Sequence, residues 1–592
     1  MEKIRSSFAI LLAVTLPVAT TAQEIQPKDT IIVTATRAEI PVSDAIVPVT
    51  VITREQIEQS LATDLAELVR FEAGIDIGRS GGPGQTTSIF LRGTESNHTL
   101  VLIDGVRMNP GTIGGAAIQN IAPEIIDRIE IVKGARSALF GTDAIGGVIN
   151  IITKRSTHTY AEGSVGGGSF NTQSGFAAAG SLNNNGEFGV SFNWQNTDGF
   201  PTRIGSDLDR GYDNLSTNIY LRKDLKKSDV SLRHWQSTGM VEYLDFFLEP
   251  LTQEFKNTST AIKIITPLAG SASSKVLLSH IIDDVTQNQS DDFVESRRTS
   301  LDWQYSVMTG SHTWMGGIYL VDEIARSTSF GTSFEKNTSV KAVFIEDQWL
   351  KEKHQIFLAF RLTDHETIGN KTAWNAEYAY DLSNRWKMNF GIAHAFRTPD
   401  ATDRYGFGGN PNLAPEVANE IQFGFRFRPD VRQFVSFEFY QNDIEDLIEF
   451  DFSTFQLRNI LQTEIRGAQI AYEYNGENFS LRAHLMRQKA HNATDRVRLL
   501  RRAEESLTLT LTKNIGIHRI GLSLLASGDR EDFGEQKLDS YILANLTGQI
   551  ILSDKWQLNT RIENLLDKAY ETVAGYRMQE LSGFLELKYI WE

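Results

Sequence analysis

Three aspartates, Asp207, Asp209 and Asp213, lie together in the polar stretch after Gly205, and their carboxylates could supply oxygen ligands. A solvated acidic loop explains the same residues. Elsewhere, residue types that carry covalent or metal chemistry are scattered. His98, His234 and His394 show no ligand spacing, and no HExxH, GxSxG or EF-hand pattern occurs. No GxxxxGK loop is present to hold a nucleotide. The chain has no cysteine, which excludes disulfides, thiolate metal sites and cysteine nucleophiles. These absences argue against an enzyme, and no resident metal or cofactor is expected. The 592 residues carry 58 Lys+Arg against 74 Asp+Glu, a net charge of −16, which is not the footprint of a nucleic-acid binder.

The elements that would position a binding site fall into regions with different periodicities. Lys3 and Arg5 precede the apolar stretch Phe8 to Val18 and the small residues Ala19 to Ala22, the pattern of a secretory signal peptide cut after Ala22. From about Ile31 to Thr153, short apolar strands such as Thr99 to Ile103 and Ile129 to Val132 mix with helical pieces. Ile57, Leu61, Leu65 and Leu68 predict one amphipathic helix over Thr53 to Arg70. After Thr153 a period of two takes over. Phe188, Val190, Phe192 and Trp194 share one face, with Gly189, Ser191, Asn193 and Gln195 on the other, and Val435, Phe437 and Phe439 repeat the pattern far downstream. Aromatics fall near strand ends, among them Trp194, Trp374, Tyr378, Tyr380, Trp386 and Trp556. Export, sustained alternation and aromatic girdles together predict an all-β transmembrane barrel, since a closed barrel satisfies every backbone hydrogen bond in lipid. Roughly 440 residues at about 20 per strand and connection give about 22 antiparallel strands, a barrel wide enough to need filling.

Specific motifs then add a family. Asp29-Thr30-Ile31-Ile32-Val33-Thr34-Ala35 resembles the TonB box of TonB-dependent outer-membrane receptors. Ser88 to Gly93 (SIFLRG), Val101 to Val106 (VLIDGV) and Ile129 to Ile151 resemble, in family order, the motifs of its plug domain. Gly409 to Glu416 and Glu563 to Glu571 are similar to its barrel landmarks. The resemblance implies residues 1–22 as signal peptide, 23–40 as a periplasmic segment with the TonB box, 41–153 as an α+β plug inside the barrel, and 154–592 as the barrel. It places the protein in the outer membrane of a Gram-negative bacterium, in contact with lipid. Within the family, Gly81 to Asn109, Leu499 to Ala503 and Tyr570 to Tyr576 resemble the cobalamin receptors. The alternative is a ferric-siderophore receptor.

The same resemblance implies partners and sites. TonB, in its inner-membrane complex with ExbB and ExbD, would add a strand to the box, whose β-branched Ile31, Ile32 and Val33 favour extended backbone. A corrinoid would be handed on to a periplasmic corrinoid-binding protein. Ligand contacts are implied at Thr86, Ser88, Glu95, Ile113 and Gly114 of the plug and at Arg501 of the barrel, where hydroxyls, backbone groups and a guanidinium can meet corrinoid amides. Arg92 and Arg136 are candidates to lock the plug to barrel carboxylates, with Glu420 the expected partner; satisfied turn arginines are the alternative, and Gln469 stands where a second carboxylate is expected. Calcium is implied through acidic outer loops, but the second such loop, Trp235 to Asp245, lacks the expected Tyr-Asp pair.

Overall fold

The computed structural model describes residues 32–591 apart from 42–44, 48, 452 and 495. The signal-peptide region and Asp29, Thr30 and Ile31 of the TonB-like motif lie outside the described residues.

Alternation builds the larger part of the molecule. Twenty-two antiparallel strands, from Tyr160–Gly168 to Ser582–Trp591, close on themselves, the first pairing with the last from Ala161 opposite Trp591 to Gly168 opposite Phe584. In the strand Gly186–Pro201, Phe188, Phe192 and Trp194 face outward, while Glu187, Ser191 and Asn193 are buried toward the lumen. This inversion of the soluble pattern is what lipid outside and polar contents inside require. Trp386 and Trp556 open their strands at the end with short turns; Trp386 stacks on Phe427 (4.2 Å) and Trp556 meets Tyr589 at a tilt (4.8 Å) across the ladder. The long connections, residues 398–415, 493–504, 528–540 and 564–581, gather at the opposite end. Short turns on one side and long loops on the other make that opposite end the extracellular one.

Inside sits an α+β domain. A hairpin, β1 (Ile32–Thr36) with β2 (Ala38–Pro41), precedes β3 (Val49–Ile52), α1 (Arg54–Ser60), α2 (Leu65–Val69), β4 (Ile75–Arg79), β5 (Thr87–Leu91), β6 (Thr99–Ile103), β7 (Val106–Arg107), β8 (Ile126–Lys133), α3 (Ser137–Phe140) and β9 (Gly147–Thr153). The central sheet runs β3-β8-β9-β6-β7, with β6 and β9 parallel. Its core packs Ile57, Leu65, Val101, Ile129, Ile131 and Ile149 together with Trp235 of the barrel wall, so domain and wall share one apolar cluster.

The single helix expected over Thr53 to Arg70 is two. Leu61 takes a left-handed φ of 50°, which ends α1, and Asp64 starts α2 by accepting from the Glu67 N–H at 3.0 Å. A short polar residue at that position competes with helix continuation and favours a fresh N-cap. α1 itself starts with a capping box between Thr53 and Gln56.

Candidate functional site

The plug presents three tips toward the extracellular end, and each is held by main-chain geometry. The turn between β4 and β5 reaches the wall at Gly84, where φ is +72° and a Cβ would lie 2.0 Å from the Tyr212 ring, so glycine is required for that approach. Beside it the Gln85 amide donates to the Glu242 carbonyl at 2.6 Å. The second tip, after β5, carries Glu95, whose carboxylate pairs with Arg502 at 2.5 Å. The third, residues 108–114, is clasped by the wall: the Gly111 N–H donates to Glu323 at 2.8 Å, and Ala401 and Thr402 of the short helix Ala401–Tyr405 donate to the Gly111 and Thr112 carbonyls.

These tips distribute the implied ligand residues. Thr86 is exposed at the first tip and Ser88 half-buried on β5. Ile113 projects from the third tip, and the Gly114 carbonyl beside it accepts from the Asn109 amide at 2.8 Å. Arg501 is not drawn to them. Its guanidinium bonds Asp532 at 2.9 Å and lies over Phe533, within the outer loops. The residue that reaches the plug is its neighbour Arg502, which donates to the Gly93 and Thr94 carbonyls as well as to Glu95. The acidic stretch also fails to converge. Asp207 approaches Arg577 at 3.8 Å, while Asp209 and Asp213 stand four residues apart on one strand, about 13 Å at strand rise. Among the described residues no group of three or more His, Asp or Glu is placed to hold a metal ion.

Buried ion pairs fix the plug to the wall. Arg92 bonds Glu438 at 2.6 Å and Glu420 at 3.4 Å, and its guanidinium stacks on Tyr440. Arg136 bonds Glu377 at 2.5 Å, and Glu420 accepts the Ala135 N–H at 2.5 Å. At Gly134, φ is +89° and a Cβ would meet the Glu420 carboxylate at 2.6 Å, so glycine admits the carboxylate to the backbone. Both arginines thus tie plug to wall through buried ion pairs, Arg92 from a turn at a φ of 51°, and the carboxylate missing at Gln469 is supplied by Glu438 and Glu377. Gln469 instead meets Lys133 at 3.4 Å. His98, fully buried, bonds Glu416 at 3.0 Å, which also holds Arg397.

The VLIDGV motif has a structural reason. Asp104 and Gly105, both at positive φ, make the two-residue turn between β6 and β7. The Asp104 carboxylate then bonds the Thr153 hydroxyl at 2.6 Å and the wall residue Arg233 at 3.2 Å. Burial works to raise its pKa, but Arg233 and Arg155 overcome it and hold the carboxyl below its ordinary value.

Wall arginines also grip plug main chain. Arg298 donates to the Asn109 carbonyl (2.7 Å), Arg426 to the Ala45 and Ile46 carbonyls, Arg233 to that of Ile103 and Arg561 to that of Leu61. Near the other end of the molecule, Arg37 after β1 bonds Asp302 of the wall at 2.7 Å and lies over Phe344 at 4.5 Å. A cavity separates α1 from the first and last barrel strands, lined in part by Glu58, Glu124, Asn193, Asn559 and Lys588.

The described residues thus form a barrel filled by a domain that buried ion pairs and main-chain clasps hold to its wall. Comparison with known proteins agrees. Residues 41–148 match the TonB-dependent receptor plug domain and residues 151–565 the TonB-dependent receptor-like β-barrel. The chain is 28% identical to the vitamin B12 transporter BtuB of Vibrio vulnificus over 93% of each chain, and 28% identical to that of Photobacterium profundum over 99% of each. In fold it is similar to the siderophore receptor PirA of Acinetobacter baumannii (TM-score 0.79, 16% identity, 92% of this chain and 98% of that one). It is similar too to the copper transporter OprC (TM-score 0.80, 16% identity, 93% and 99%). The ferric enterobactin receptor PfeA of Pseudomonas aeruginosa aligns with a TM-score of 0.81 at 16% identity, over 93% and 100%. The chain thus belongs to the TonB-dependent receptors, ligand transporters of the Gram-negative outer membrane that work with TonB and are not enzymes.

Proposed function

We propose that this receptor imports cobalamin or a related corrinoid into the periplasm. The observation that carries the reading is the near end-to-end similarity to vitamin B12 transporters. The solved structures of siderophore and copper receptors match the fold at 16% identity and leave cargo to the site. The plug tips support the reading: hydroxyls at Thr86 and Ser88, the Glu95–Arg502 pair and the exposed Ile113 offer the mixture of polar and apolar contacts that a large amide-rimmed ring needs.

Energy comes from TonB, because tight capture makes spontaneous release slow and no nucleotide loop exists to drive it. The segment Asp29 to Ala35 is the TonB contact in this reading, exposed after removal of residues 1–22. Ile32 to Ala35 already form β1, paired with β2 from Ile32 opposite Pro41 to Thr36 opposite Ala38. Strand addition by TonB therefore either replaces β2 or uses the other edge of β1. Arg37, tied to Asp302, is the next point at which a pull on β1 would be felt. A periplasmic corrinoid-binding protein would receive the cargo.

Equilibrium binding of labelled cyanocobalamin to outer membranes carrying the protein, beside a panel of ferric siderophores, tests the reading. Saturable binding at nanomolar concentration is the expected result. Retention of an iron chelate with no corrinoid bound would leave the transport device intact and overturn the cargo.

A further inference from the structure

Two adjoining clefts open between the third plug tip, the strands His312–Ser329 and Thr332–Lys351, and the connection 398–415. They share Arg107, Arg298, Glu323 and His365 in their lining, and their charges do not balance. Arg298 is matched by Glu323 at 2.8 Å, Arg107 by Asp143, and Arg397 by Asp400, Asp403 and Glu416. Among the described residues, Arg361, Arg404 and Lys336 of the same lining have no carboxylate partner. Arg361 is 1% exposed and lies against Gly141 of the plug. Its Nε donates to Thr363, while its buried Nη1 meets no acceptor. Arg404 gives one N–H to the Pro411 carbonyl and leaves Nε and Nη1 unanswered. Lys336 rests over the Tyr405 ring at 4.3 Å.

A buried guanidinium N–H without an acceptor is costly, and a protein that keeps such groups beside a cavity gains when an anion enters. Arg107 stands in the same lining: burial above all pushes its guanidinium down to about 9, with Arg298 and Arg361 adding to the fall and Tyr319 and Glu323 opposing it. Apolar cover stands on the same elements. Phe330, 77% exposed at the tip of the wall hairpin, meets Phe407 of the connection at 5.6 Å, and Phe334 meets Tyr405 at 6.3 Å.

We propose that Arg404 and Lys336 at the mouth of this chamber and Arg361 at its floor form an anion subsite for the ligand. This rests on the corrinoid reading, in which the anion is the phosphodiester of the nucleotide loop. Phe330 and Phe407 then cover the apolar parts of the same ligand. The subsite lies apart from the positions the family resemblance implied, touching them only at Gly114. Arg is the residue suited to such a task, since its planar fork meets two phosphate oxygens at once.

The test compares cyanocobalamin with dicyanocobinamide, which lacks the nucleotide loop and its phosphodiester, in equilibrium binding to the full-length protein in outer membranes. The variant carries Arg404→Gln with Lys336→Gln, two positions not fully buried, and heat-modifiable gel mobility verifies that its barrel has folded. Removing a charge-assisted hydrogen bond should weaken cyanocobalamin about tenfold. Dicyanocobinamide should change less than about twofold, because it has no phosphodiester to pair with these cations. Arg361→Gln should act in the same direction. Equal weakening of both corrinoids, or of neither, overturns the subsite. If the wild type binds neither corrinoid, the cargo reading falls but the subsite is still tested, with a neutral ferric trihydroxamate against an anionic ferric tricatecholate. Selective weakening of the anionic chelate in the double variant supports the subsite; equal behaviour, or no chelate bound by the wild type, overturns it.

Discussion

Glu124 shows how one side chain registers its surroundings. It lines the cavity beside α1, where burial pushes its carboxyl up to about 7; Glu586 adds to the rise, and Arg54 and Lys154 oppose it. A carboxyl with a folded pKa above its unfolded value holds its proton more tightly in the native state, so the plug loses stability as pH rises from about 4.5 to about 7. Glu124→Gln should remove that dependence and raise the urea resistance of the docked plug at pH 8, with little change at pH 4; limited proteolysis of the plug reads both. The locks argue in the opposite direction. Arg136→Met strands Glu377 in a buried site, at a cost of about 3–5 kcal/mol. The variant should pass large antibiotics that the wild type excludes, measured as sensitivity of cells expressing it. Arg92 and Arg136 were legible in the sequence because their motifs flank them. Their carboxylates Glu438 and Glu377 were not: each is one polar residue on an alternating strand, separated from its arginine by 346 and 241 residues. Nothing in spacing links such pairs, since closure of the barrel makes the contact. The cation excess at Arg361, Arg404 and Lys336 was hidden for the same reason.

At the scale of elements, β1 is the most exposed to test. Its main chain is already a strand, so a partner strand gains hydrogen bonds without paying for new backbone order. Val33→Pro removes a donor from β1 and restricts Ile32 before it. Uptake of the labelled ligand should fall to background while equilibrium binding at the extracellular face stays within about twofold, because the plug tips lie far from β1 in the fold. A parallel drop in binding would mean that the hairpin also supports the plug. Periodicity revealed β6 because it is an almost continuous apolar run, and β8 because Ile129, Ile131 and Val132 keep its buried stretch apolar among charged neighbours. It overextended the first helix because Leu61 and Leu65 kept helical spacing across a break that only the left-handed Leu61 and the Asp64 cap disclose. Side-chain spacing records which face is buried and is blind to a local reversal of backbone that preserves that face.

Across the whole molecule, the strand count followed from length and alternation, because a barrel repeats one unit with short turns and has little freedom to do otherwise. Closure itself depends on one seam, where Val165 lies opposite Leu587 on one side and Gly175 on the other. Val165→Pro removes a ladder donor in a strand that has no free edge. It should abolish the heat-modifiable fast-migrating form on semi-native gels, whereas Val165→Leu, which faces outward, should preserve it. The grip of Arg298, Arg426, Arg233, Arg502 and Arg561 on plug carbonyls has an evolutionary consequence. Every residue type carries a carbonyl, so these anchors survive almost any substitution on the plug side. Tip side chains are free to drift toward new cargo while the anchorage is inherited unchanged.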